Sequence, residues 1–181
     1  SSDLFDVDGW GLPISIEPIQ GRRFATDLKP ISELQKLDKV LLLTCSNRYN
    51  WDPNDIDIPK STILAMVINE YLNDKSVLID VPELKIAPCE GNVSRKDGNS
   101  CGVMKSKLKD KEKNPTGHHR CWASINEKDD ELWKISKELF ESNAVIFFTS
   151  VRWGQASMFY QKLIERLTWL ENRHSTLGES N

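Results

Sequence analysis

The sequence predicts an α/β protein with a doubly wound parallel sheet, and three observations carry that reading. Residues 40–44, 76–81 and 144–149 are short apolar runs rich in leucine or β-branched and aromatic side chains. They do not alternate, as expected of strands buried on both faces. The first and third runs lead into segments with apolar residues three and four apart, as amphipathic helices have. Finally, the order βα, β-insertion-α, βα with short links implies parallel strands joined by right-handed crossovers.

The chain has 181 residues, enough for one domain with a proper core, or one domain and an appendage. It is 39% hydrophobic and 28% charged with a formal net charge of −3, which describes an ordinary globular protein. That balance argues against general nucleic-acid or anionic-membrane binding. No apolar run reaches membrane-spanning length and no signal segment opens the chain, so the expectation is a cytoplasmic protein without a membrane partner. Four cysteines, Cys45, Cys89, Cys101 and Cys121, suit a reducing compartment.

Residues 1–38 read as an N-terminal arm and 39–181 as the domain. In the arm, Ile14-Ser15-Ile16 alternates like an edge strand, and Trp10 would be a liability if exposed. The arm is therefore expected to cover the core or a neighbouring subunit. The run 40–44 is followed by Cys45-Ser46-Asn47-Arg48 and a polar loop through Pro53 and Pro59. Lys60-Ser61-Thr62 then opens a helix whose predicted buried face is Leu64, Val67, Ile68 and Tyr71.

Ser61 or Thr62 is the expected N-cap, and amides at a helix start suit a phosphate. Arg48 and Lys60 can supply countercharge, although solvated surface charge is the commoner fate of such residues. Neither a Walker loop nor a Rossmann glycine fingerprint is present.

The second strand stops at Pro82. A long insertion over 88–126 follows, after which Asp129-Asp130-Glu131 is expected in a helix's first turn, where the dipole favours acids. Leu132, Ile135, Leu139 and Phe140 give that helix its buried side. The third strand leads into the loop Ser150-Val151-Arg152-Trp153-Gly154-Gln155 and a helix with Tyr160, Leu163, Ile164 and Leu167 on one face. A doubly wound sheet normally has five strands. Either the final βαβα portion lies outside this chain, which is the expectation, or the arm and a partner chain complete the sheet.

Thr44-Cys45-Ser46-Asn47-Arg48, Ser61-Thr62 and Thr149–Gly154 together resemble the NADPH-dependent FMN reductase family, near its iron-sulfur flavoproteins. The resemblance implies a flavodoxin-like, three-layer α/β/α fold and a bound FMN. It places the FMN phosphate at Ser46, Asn47, Arg48, Ser61 and Thr62, and the ring at Ser150, Val151, Arg152, Trp153 and Gly154. The chain departs from the family in a longer first loop, in Ser150 where proline is common, and in lacking the family's third flavin loop.

The implied function is an oxidoreductase passing electrons from NADPH or NADH through FMN to a quinone, flavin or other small acceptor. The protein would orient the cofactor and tune its electrostatics. No acid-base triad is needed or found. The alternative is a non-catalytic flavodoxin-like electron carrier or interaction module. The family habit also implies a homo-oligomer, most simply a dimer.

Cys89, Cys101 and Cys121 are spaced too openly for a compact cluster motif and contain no CxxC pair. No iron-sulfur cluster or zinc is therefore expected on them. The insertion around them is locally basic, with eight Lys/Arg against three Asp/Glu between Arg95 and Arg120. A solvated loop is the common reason for such a run, and attraction of a phosphorylated dinucleotide or acidic partner is the functional one.

Overall fold

The computed structural model describes residues 33–47, 57–92, 101, 111, 114, 117–126 and 129–170. Strand β1 (Val40–Thr44) lies between β2 (Ser76–Asp80) and β3 (Ala144–Phe148), parallel to both, in the order β2-β1-β3. Val40 sits opposite Ser76 on one side and Ala144 on the other. All five residues of β1 are buried, whereas β2 and most of β3 are half-buried. A strand hydrogen-bonded on both sides and covered on both faces needs apolar side chains at every position, which explains the unbroken run.

Side chains of successive strand residues point to opposite faces, so β1 feeds two cores. Leu41, Leu43 and Cys45 join one cluster with Leu132, Ile135, Leu163 and Trp169. Val40 and Leu42 join the other, with Ala65, Leu72 and Phe148. Helix α1 (Lys60–Leu72) therefore packs on one face of the sheet. Helices α2 (Trp122–Asn126), α3 (Leu132–Glu141) and α4 (Met158–Arg166) contribute to the opposite cluster. Truncating Leu42 or Leu43 to alanine removes a fully buried side chain and costs about 2–5 kcal/mol.

Three helix details differ from the expected patterns. In α1 the buried residues are Thr62, Ala65 and Leu72, with Leu64 and Ile68 partly buried, while Tyr71 is 46% exposed. The helix approaches the sheet through its small residue, Ala65, which rotates the stripe away from Tyr71. In α4, Leu163 and Arg166 are buried whereas Ile164 is 40% exposed. The acids before α3 do not enter its first turn: Glu131 is the N-cap, and Asp130 is buried ahead of it. Asp130 is drawn inward by a buried cation, Arg166, 2.7 Å away.

Of the arm, Leu34 and Leu37 pack against the α1-side core. Trp10, Ile14 and Ile16 lie outside the described residues, as do Arg48 and much of the insertion. No helix among the described residues is long and apolar enough to cross a membrane.

Candidate functional site

The chain leaves the carboxyl ends of β1 and β3 toward opposite faces of the sheet, to α1 on one side and α4 on the other. Neighbouring strands whose connections diverge open a crevice between them, and open α/β sheets bind ligands at this switch point. Such a crevice is present here. A cleft of about 430 Å³ is lined by Ser46, Asn47, Pro59, Lys60, Ser61, Thr149, Ser150, Val151 and Arg152. That volume lies within the range of small-molecule sites.

Ser46 ties the three loops together. Its hydroxyl accepts from Ser61 Oγ at 2.8 Å and from the Ser150 backbone N–H at 2.7 Å. A hydroxyl has two lone pairs and one proton, so these bonds occupy its acceptors and leave its O–H to donate. Ser46 is itself buried, which fixes that donor at the floor of the cleft. Ser150 Oγ is also buried and makes no hydrogen bond among the described residues. A hydroxyl so placed carries a desolvation cost that a ligand's polar group would relieve.

Helix α1 supplies the second wall. Pro59, extended at φ −57° and ψ 138°, is its N-cap, and no side chain caps the first turn. Ser61 and Thr62 stand inside that turn, not at the cap. The Ser61 hydroxyl, bonded to Ser46, is directed away from its own helix's amides. The two hydroxyls also separate: Ser61 lines the cleft, whereas Thr62 is buried in the core behind it with its Oγ1 making no hydrogen bond.

The third wall begins at the end of β3. Ser157 is the N-cap of α4, accepting from the Tyr160 N–H at 3.4 Å. Its hydroxyl also donates to the Cys45 carbonyl and lies 3.1 Å from Thr149 Oγ1. This holds the loop after β3 against the end of β1. A serine directly before an apolar helical stripe is a capping signal, so the sequence carried the means to find Ser157.

Residues 150–156 form a hairpin of β4 (Val151–Arg152) and β5 (Gln155–Ala156). Both residues of its two-residue turn have positive φ, 53° at Trp153 and 73° at Gly154, as tight hairpins of this length require. Glycine adopts that conformation readily, whereas tryptophan there is an outlier. Trp153 and Gly154 are therefore at the hairpin tip, where Trp153 is fully exposed, and they do not line the cleft. Arg152 reaches back, its Nη2 donating to the Asn47 carbonyl at 2.8 Å and so bridging the two loops across the rim.

The described lining of the cleft has two cations, Lys60 and Arg152, and no carboxylate. Hydroxyl donors, a helix start and two cations suit an anion. Cys45, directly before Ser46, offers no reactivity. Burial, aided by the Asp80 carboxylate, pushes its thiol up to about 12, so it stays protonated. Burial raises the Asp80 carboxyl above its ordinary value, against the lowering effect of its bond from Thr44 Oγ1 at 2.6 Å.

Sequence reasoning placed Ser46, Asn47, Ser61, Ser150, Val151 and Arg152 at the site, and the fold brings these six together. Comparison with family models, curated proteins and solved structures gives no match to this chain.

Proposed function

We propose that the chain is a flavodoxin-like, FMN-dependent oxidoreductase that takes electrons from NAD(P)H and delivers them to a quinone, flavin or other small acceptor. One observation carries the reading: a switch-point cleft whose hydroxyls and cations converge from three loops without a carboxylate among its described lining. The strand order β2-β1-β3 is the beginning of the flavodoxin order, in which FMN binds between the first and third strands.

The residues fit that group. The Ser46 hydroxyl, held in place by Ser61, would hold the phosphate with the start of α1 and Lys60. Ser150 Oγ would gain the partner it lacks, and Val151 with Arg152 would border the ring. Bound flavin supplies the hydride and electron chemistry. The protein's part is to orient it, exclude water with the hairpin and place Arg152 near developing negative charge. A homodimer belongs to the same reading.

Titration of the purified chain with FMN and with riboflavin tests it. FMN should bind and quench its own fluorescence, and riboflavin, lacking the phosphate, should bind at least about tenfold more weakly. NADPH or NADH should then bleach the bound flavin anaerobically. Equal affinity for both flavins would remove the phosphate placement, and no binding of either would remove the reading.

The second reading, an electron carrier that docks a protein partner, is favoured by apolar exposure beside the cleft: Val151, Trp153 and Met158 all face solvent. A carrier would oxidise nicotinamide slowly and exchange electrons quickly with its partner.

A further inference from the structure

Away from the cleft, Cys89, Cys101 and Cys121 line one small cavity together with Trp122 and Arg166. The three lie far apart in sequence, so their sharing one cavity is a product of the fold. All four cysteines of the chain are reduced.

Arg166 organises this place. Its Nη2 donates to Cys121 Sγ at 3.4 Å, and its Nη1 donates to the Ala87 carbonyl at 2.6 Å. The Ala87 N–H is held in turn by Asp130 at 2.9 Å. One guanidinium thus clamps both the Cys121 sulfur and the backbone two residues before Cys89. The Cys89 sulfur has its own donor, the Gly91 N–H at 3.4 Å, from a turn with φ 65° at Gly91.

The cavity that these residues line is about 10 Å³, near the least that admits a single water. Cys89 and Cys121 both border that one space, and a small shift of the half-buried Cys89 segment would have to bring the sulfurs together. Exposure divides the roles: Cys89 is half-buried and Cys121 is buried beside a cation. Amide and cationic donors around sulfur are the setting of redox-active cysteines.

We propose that Cys89 and Cys121 form a reversible redox site that closes to a disulfide on reaction with a hydroperoxide. The Cys89 thiolate attacks the terminal peroxide oxygen. The O–O bond breaks, an alcohol or water leaves with a proton from solvent, and Cys89 becomes a sulfenic acid. The Cys121 sulfur then attacks the Cys89 sulfur, the S–O bond breaks and water leaves. Two thiols are thereby oxidised by two electrons, and the hydroperoxide is reduced by two. A thiol reductant restores the pair.

The test is to treat the reduced full chain with equimolar hydrogen peroxide and map disulfides by non-reducing digestion and mass spectrometry. A Cys89–Cys121 peptide pair, two hydrogens lighter and split by dithiothreitol, is expected. C121S should instead accumulate a dimedone-trappable sulfenic acid at Cys89, and C89S should lose thiols to peroxide roughly tenfold more slowly. Circular dichroism of each variant reports whether it is folded, and the wild-type map stands whatever the variants do. Pairing through Cys101, links between two chains, or sulfinic acid at Cys89 without any crosslink would each overturn the proposal.

Discussion

Arg166 and Asp130 meet as a doubly hydrogen-bonded ion pair, Nη1 to Oδ2 at 2.7 Å and Nη2 to Oδ1 at 2.9 Å, with both side chains fully buried. The pair is the hub of the α3/α4 face. Asp130 also accepts from Ser124 Oγ at 2.7 Å and from the Ala87 and Leu132 N–H groups. The insertion, the start of α3 and the end of α4 are thus fastened at one point.

Breaking this pair from one side leaves a buried charge without its counterpart. R166M or D130N should therefore lower unfolding free energy by about 3–5 kcal/mol, read as a shifted midpoint in urea. The pH profile should move as well. Burial pushes the Asp130 carboxyl up, but the Arg166 guanidinium, the Ala87 N–H and the Ser124 hydroxyl together hold it below its ordinary value of 3.8. A depressed folded pKa contributes stability that is complete above the unfolded value and lost as pH falls through the folded one. The acid limb of stability below about pH 4 should be shallower in D130N than in wild type.

Cys45 should be the slowest thiol in the chain. It is fully buried and its thiol is pushed up to about 12, so iodoacetamide at mild alkaline pH should modify it only through unfolding. Its raised pKa contributes stability that is complete below the unfolded value and lost as pH rises from about 9 toward 12. C45A should flatten that alkaline limb. Rapid native-state labelling of Cys45, mapped by mass spectrometry, would contradict its buried setting.

The sheet and the cleft loops were legible because both follow from local rules. A strand covered on two faces must be apolar throughout, as Val40 to Leu43 are, and ligands gather where such strands end. Ser46 and Ser150 follow such strand ends and Ser61 stands at the helix start beyond the first, the places that the family resemblance also implied. Arg166 could not be placed this way. Arginine at a helical position reads as solvated, and its reason for burial, Asp130, lies 36 residues earlier. The same non-local bond removed Asp130 from the first turn of α3, where dipole reasoning had placed it. The hairpin β4–β5 was hidden for a local reason: its turn offers glycine at only one of two positive-φ positions, with tryptophan at the other.

That tryptophan invites a substitution. A bulky side chain at φ 53° is strained, and Asn tolerates the conformation better. W153N should therefore raise stability by about 0.5–1 kcal/mol, since Trp153 makes no buried contact that would be lost. If the side chain serves recognition of an electron donor or partner, the same variant should slow that exchange while leaving FMN affinity unchanged. Thermal unfolding and stopped-flow reduction separate the two effects. A destabilised W153N would mean that the indole holds the hairpin in place.

Neighbouring hydroxyls on α1 give the sharpest test of the cleft. Ser61 lines it and donates to Ser46, whereas Thr62 is buried with Oγ1 making no hydrogen bond. S61A removes the donor that holds Ser46 Oγ and so loosens the Ser46 hydroxyl facing the proposed phosphate; FMN should bind more weakly by about 1–3 kcal/mol, the scale of a lost bond to a charged group. T62V replaces a buried, unsatisfied hydroxyl with a methyl of similar size. It should leave FMN affinity unchanged and raise stability by roughly 1 kcal/mol, because the desolvation cost of the hydroxyl disappears. Isothermal titration and urea unfolding of the two single variants read both quantities. The double replacement would hide the contrast, since a loss there could come from either residue. Weaker FMN binding in T62V with no change in S61A would reverse the geometry assigned to the first turn of α1.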